Sequence, residues 1–272
     1  MSAAVAAVPL LEVRHLNKSF GSVVAANDIN VAVSDEEMVG IIGANGAGKT
    51  TFVNMVTGYL KPTAGTIAFL GRDITNLPPR EVIAAGISRS FQVPQVFGTA
   101  TVFENLLIAI GIADSGAFPL WRPLRRPAFV KAADDILERF GIRAYRDQAA
   151  RLLPQGVRKL LDIAMATVHS PRLLLLDEPT SGISVEEKFA IMDVIMGALR
   201  EQRRAVMFVE HDMEIIGRYA HRVLAFAEGT IIAEGPPARV IDDPQVRRYI
   251  TGEPHAPRRR GAGTTTTAVP PP

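Results

Sequence analysis

Gly43-Ala44-Asn45-Gly46-Ala47-Gly48-Lys49-Thr50 stands between a short β-branched run, Met38 to Ile42, and a stretch with helical spacing, Lys49 to Leu60. An apolar strand that breaks into glycines and reopens as a helix is the layout of a phosphate site. Small residues free the backbone N–H groups to wrap phosphate oxygens at a helix N-terminus, where the helix dipole favours negative charge. In that pattern Lys49 brings a point charge to the β and γ oxygens, and Thr50 offers its hydroxyl to Mg²⁺. The nucleotide-binding set expected here is Gly43, Asn45, Gly46, Ala47, Gly48, Lys49, Thr50 and Thr51.

A second element supports the first. Leu173-Leu174-Leu175-Leu176-Asp177-Glu178 reads as a buried strand ending in two carboxylates at the rim of a sheet. Beside a phosphate loop, rim carboxylates mean Mg²⁺: Asp177 is expected to hold the metal, directly or through water, and Glu178 to polarise a water that attacks the γ-phosphate.

Outward from these motifs, residues 10–33 alternate loosely around Phe20-Gly21 as a hairpin, and 65–75 read as a strand and turn. Helices are expected over 99–112, 128–140, Leu152–Val168 and Val185–Gln202, with a buried strand at Ala205–Val209. A hairpin follows around Glu228-Gly229, and a last short helix at Pro244–Ile250. The β/α alternation implies a parallel sheet. From Glu253 the RRR, TTTT and PPP runs lack apolar periodicity, so 253–272 is expected to be a disordered tail.

Composition narrows the function classes. With 47% apolar residues, the 272-residue chain can bury a sizeable core. Lys and Arg number 30 against 28 Asp and Glu, and Arg258, Arg259 and Arg260 belong to the tail, so the body is close to neutral. It carries no broad field for nucleic-acid phosphates, and no nucleic acid is expected as partner. The absence of Cys excludes disulfides, thiolate metal sites and cysteine nucleophiles. No apolar run reaches the ~18 to 20 residues of a membrane helix, so any membrane contact is expected to be peripheral.

The order and spacing of these motifs resemble the ATP-binding subunits of ABC transporters over residues 10–252. Phe20 sits where that family stacks an aromatic ring on adenine. Gln92, in Phe91-Gln92, matches the Q-loop glutamine, which touches Mg²⁺ or the attacking water and faces the membrane subunit. His211 matches the switch histidine that contacts the γ-phosphate. The resemblance implies catalytic roles for Glu178, His211 and Gln92, metal roles for Thr50, Gln92 and Asp177, and ATP and Mg²⁺ as cofactors. Its implied architecture is an α/β P-loop fold over 8–252: a parallel-sheet core over about 8–92 and 161–235 with an antiparallel β edge near the N-terminus, a helical subdomain over about 93–160, and an extension over 236–252.

Val209-Glu210-His211-Asp212-Met213, the insert at 113–127 and the extension after 235 resemble the branched-chain amino-acid importer branch, in its larger, LivG-type subunit. Amide or urea importers and lipopolysaccharide-export ATPases are alternative relatives. A soluble ABC mechanoenzyme acting on nucleic acid, or a small-molecule kinase, would share the phosphate loop. The resemblance further implies transmembrane permease subunits, a second, non-identical ATPase subunit, an extracytoplasmic solute-binding protein engaged indirectly, and a peripheral place at the cytoplasmic face of the cell membrane.

Two motifs depart from the family. Leu153-Pro154-Gln155-Gly156-Val157 occupies the place of the LSGGQ signature, and Pro154 has neither hydroxyl nor N–H to offer a partner's γ-phosphate. Gln155 is a possible substitute donor. Ser184 falls where the D-loop usually has Asp. The insert Ser115 to Pro127, with Trp121, Arg122, Arg125 and Arg126, either lies against a partner or lipid headgroups, or packs on its own subdomain.

Overall fold

The computed structural model describes residues 8–115 and 123–251; the expected tail at 253–272 and the centre of the insert, Trp121 included, lie outside the described residues. In chain order the elements are β1 (Leu11–Phe20), β2 (Val23–Val33), β3 (Met38–Gly43), α1 (Lys49–Val56), β4 (Ala64–Phe69), β5 (Arg72–Asp73), α2 (Pro79–Ala85), β6 (Ile87–Arg89), α3 (Val102–Ser115), α4 (Pro127–Arg139), α5 (Gln155–Ala166) and β7 (Leu173–Asp177). They continue with α6 (Val185–Glu201), β8 (Ala205–Val209), α7 (Met213–Tyr219), β9 (Arg222–Ala227), β10 (Thr230–Gly235), α8 (Pro237–Ile241) and α9 (Pro244–Thr251).

The antiparallel strands expected near the N-terminus form a sheet of their own, in the order β2-β1-β4-β5. The second sheet runs β10-β9-β3-β8-β7-β6, parallel from β9 to β6, with β10 antiparallel at its edge. Both faces of this sheet are covered, which is why its strands read as unbroken apolar runs. On one face Met38, Ile42, Leu174, Leu176, Val206 and Phe208 join a core with α3 to α7. On the other Val39, Ile41, Leu173, Leu175, Met207 and Val209 meet Phe52 and Val53 of α1 and the antiparallel sheet. The two-residue period of the strand thus divides one run of leucines between two cores. Truncating one of them, such as Leu174→Ala, costs about 2–5 kcal/mol.

Several boundaries move for local reasons. The helix expected from Leu152 begins at Gln155, because Pro154 stands extended at its N-cap (φ −53°, ψ 151°) and Ala150–Leu152 form a separate 3-10 turn. The helix after the phosphate loop stops at Val56 rather than Leu60, where Gly58 turns left-handed at φ 76°. Residues 160 and 161, between which the sequence divides subdomain from core, lie within α5.

Candidate functional site

Parallel registry brings the motifs to one sheet edge. Ile41 of β3 and Asp177 of β7 both face Val209 of the intervening β8, so the loops leaving these strands open side by side. Ligands of open parallel sheets bind at that carboxyl edge. Gly43 (φ 155°) and Gly48 (φ 101°) admit no side chain there: a Cβ would lie 2.5 Å from the Phe226 carbonyl and 2.7 Å from that of Ala25. The cleft beside the loop measures about 150 Å³ and is lined by Ala25, residues 45–51, Glu178 and Val209, which brings Asn45, Gly46, Ala47, Gly48, Lys49, Thr50 and Thr51 into one concavity.

Lys49 is buried and donates to the carbonyls of Gly43 (2.6 Å) and Ala44 (3.0 Å), so its ammonium is pinned across the mouth of its own loop. Burial lowers its pKa from the ordinary value, with Glu178 and Asp177 acting against the shift.

Glu178 follows β7 in the left-handed region, at φ 47°, held by its N–H to the Val209 carbonyl at 3.1 Å. Such backbone conformations are stored strain in a non-glycine residue, and here it aims a carboxylate along the sheet edge. One oxygen accepts from Gln92 Nε2 at 2.8 Å and the other meets His211 Nε2 at 3.0 Å. Three residues far apart in sequence are therefore in direct contact. With Nε2 as the donor, His211 carries its proton on the nitrogen facing the carboxylate.

Asp177 donates no lone pair to this trio. Its Oδ2 accepts from Arg89 Nη2 at 2.5 Å, whereas Oδ1 has no donor among the described residues. Thr50, Gln92 and Asp177 offer only oxygen donors, the chemistry of a hard cation; Mg²⁺ keeps several waters and takes one or two protein ligands beside phosphate, so the donor set fits it. No group of three or more His, Cys, Asp or Glu that could hold a metal occurs among the described residues.

Phe20 ends β1 with 52% exposure and the Lys18 ammonium 5.0 Å from its ring centroid; it is not among the residues lining the phosphate cleft. A larger cleft of about 600 Å³, between Asn27, Asp28, Asn30 and β10, has Asp28 and Glu234 as its charged lining and no cation to attract a nucleotide.

Sequence reading missed three supports of the site. Lys159, buried on α5, donates to the carbonyls of Phe91 (2.8 Å), Asp177 (3.2 Å) and Gln92 (3.4 Å), strapping the Gln92 loop and β7 to the signature helix. Glu210 accepts from Thr180 N (2.9 Å) and Oγ1 (2.7 Å), tying the D-loop to the strand end before His211; burial raises its pKa while the Thr180 bonds lower it. Arg89 is the third. A lysine and a glutamate at positions that must be buried were the available signals; a three-residue strand left none for Arg89.

In the signature, Gln155 stays exposed; its amide donates to Ser181 O at 3.3 Å and packs on Gly182, where a Cβ would lie 2.0 Å away. Ser184 stands extended at the N-cap of α6 with its hydroxyl 3.2 Å from Glu187, a pairing of N-cap and third helical residue that gives it a local structural role.

The ABC transporter family model matches residues 26–181. The chain is 34% identical over 253 residues to the high-affinity branched-chain amino acid transport ATP-binding protein LivG of Escherichia coli (strain K12), covering 90% of this chain and 98% of that one. It is 33% identical over 252 residues to BraF, named likewise, of Pseudomonas aeruginosa, with the same coverage. Among solved structures, the ADP conformation of an ATP-binding cassette of an ABC transporter superposes with a TM-score of 0.81 at 32% identity, covering 90% of this chain and 99% of that one.

Proposed function

This chain belongs to the ABC transporter family as an ATP-hydrolysing, ATP-binding transport subunit, and from that premise we propose that it drives an importer of branched-chain amino acids. The observation that carries the cargo is the similarity, over 90% of this chain, to LivG and BraF, whose names specify that transport. A deletion strain should lose high-affinity uptake of leucine, isoleucine and valine. Intact uptake of all three, with loss of an amide, urea or another distant solute, would remove the cargo and leave the ATPase standing.

In this reading Gly43 to Thr51 and Lys49 bind the phosphates, and Phe20, exposed at a strand end, stacks on adenine. Bound Mg²⁺ would neutralise phosphate charge, with Thr50, Gln92 and Asp177 as the residues that hold it or its waters. Glu178 takes the proton from the attacking water. Its two oxygens accept from Gln92 and His211, so those residues orient it, and a remaining carboxylate lone pair of Glu178 accepts the proton of the water. The γ-phosphate end of the site belongs to His211.

The partners proposed are transmembrane permease subunits facing Gln92, a second and non-identical ATPase subunit, and an extracytoplasmic solute-binding protein reached only through the permease. Among the described residues no helix is long and apolar enough to cross a membrane, so attachment to the cytoplasmic face would come through those subunits. The core at 8–92 and 161–235, the helical subdomain at 93–160 and the extension at 236–252 then serve as motor, partner-facing arm and buttress.

A further inference from the structure

We propose that Arg89 is a positioning residue for Asp177, holding one carboxylate oxygen so that the other faces the divalent cation, and that it makes this orientation depend on the placement of the Gln92 loop. The inference rests on the reading of Asp177 as the metal-holding carboxylate.

Arg89 ends β6, opposite Leu175 of β7, and stands immediately before Ser90-Phe91-Gln92. Its Nη2 donates to Asp177 Oδ2 at 2.5 Å and its Nη1 to Asn54 Oδ1 at 2.6 Å. Asn54 lies on α1, the helix opened by Lys49 and Thr50. One guanidinium therefore spans the helix of the phosphate loop, the strand leading to Gln92 and the strand carrying Asp177. Its carbon sits 5.0 Å from the centre of the Phe91 ring, which meets Tyr59 edge-on at 5.7 Å.

The pair is buried, with side chains 7% and 12% exposed, and Arg89 Nε is buried without a partner among the described residues. A buried ion pair with an unsatisfied donor is a poor way to fill space, since an apolar side chain of similar size avoids both desolvation penalties. What the fork supplies is geometry. With Nη1 anchored on Asn54 Oδ1, the planar guanidinium presents Nη2 to Asp177 Oδ2 from one fixed direction, which a lysine with one mobile ammonium cannot do. Oδ2 is consumed by Arg89 and Oδ1 has no protein donor among the described residues, so the arrangement leaves one oxygen for the cation. The positive charge itself opposes cation binding; the orientation it enforces is held to outweigh this, as partners of metal-holding carboxylates commonly do.

The test compares Arg89→Lys, Arg89→Gln and Asp177→Asn in the full-length chain. A fluorescent ATP analogue is bound first in excess chelator, then titrated with Mg²⁺. Metal-free affinity should change by less than about twofold in both Arg89 variants, and the Mg²⁺ concentration for half-effect should rise about tenfold or more in Arg89→Gln. Arg89→Lys should be shifted in the same direction and less far, since it keeps the charge and loses the fork. Unchanged or lowered Mg²⁺ demand in both Arg89 variants, with Asp177→Asn impaired, would overturn the positioning role alone. If Asp177→Asn were also unaffected, the metal role of Asp177 would fall with it.

Discussion

His211 Nε2 lies 3.0 Å from Glu178 Oε1, so the histidine after β8 reaches the carboxylate after β7 across the sheet edge. An oriented base needs a donor that fixes it. His211→Ala should lower turnover of the assembled transporter by about 10- to 100-fold with ATP affinity nearly unchanged, and His211→Gln, which retains a donor, should lose less. Equal losses in both variants would show that the donated bond is not what matters.

Lys159 predicts a stability effect. Lys159→Met would leave three carbonyls without their shared donor, two of them within 3.2 Å of the ammonium. The cost should be about 2–3 kcal/mol, seen as a fall of about 4–12 °C in Tm for a domain of this size. A Tm within a degree of wild type would contradict the strap.

Glu210 predicts a pH dependence. Burial raises its pKa, so between the ordinary carboxyl value of about 4.3 and the raised native value the folded chain binds more protons than the unfolded one. The stability associated with this group is therefore present at low pH and lost as pH rises through that window. Glu210→Gln removes the titration, and its Tm should gain on wild type as pH increases from about 4 towards neutrality. A difference that stays flat or reverses would reject the buried, raised carboxyl.

The signature predicts asymmetry between two ATP sites. Pro154 supplies no donor, and the exposed Gln155 amide is spent on Ser181 O of its own chain. Two missing donors to a partner's γ-phosphate cost about 1.5–3 kcal/mol each where the bonds are charge-assisted. In the assembled complex Lys49→Ala should abolish most hydrolysis, and the equivalent change in the partner should spare much more. Equal losses, or a homodimer of this chain with full coupled turnover, would reject the asymmetry.

The α/β architecture and the catalytic edge were legible because they rest on local signals: glycines between a β-branched strand and a helix, and acids at the end of four leucines. Family spacing singled out Gln92, Glu178 and His211 one by one, but not their direct contact, which the fold supplies. Arg89, Lys159 and Glu210 were not legible, since each acts through a partner at least thirty residues away in the chain, as with Glu210 and Thr180. Helices α2, α7 and α8 were missed as well; five to seven residues carry too little periodicity to separate a helix from a loop. The signature was recognised by position, but the packing of Gln155 on Gly182 was not, since only folding brings the two together.

The central claim is that Glu178 is the base of an ATPase, and Glu178→Gln tests it most directly because it keeps the shape and removes the charge. Measured in the assembled transporter, ATP should still bind with near wild-type affinity while turnover falls by about 10² or more. Turnover close to wild type, with ATP bound, would contradict the account.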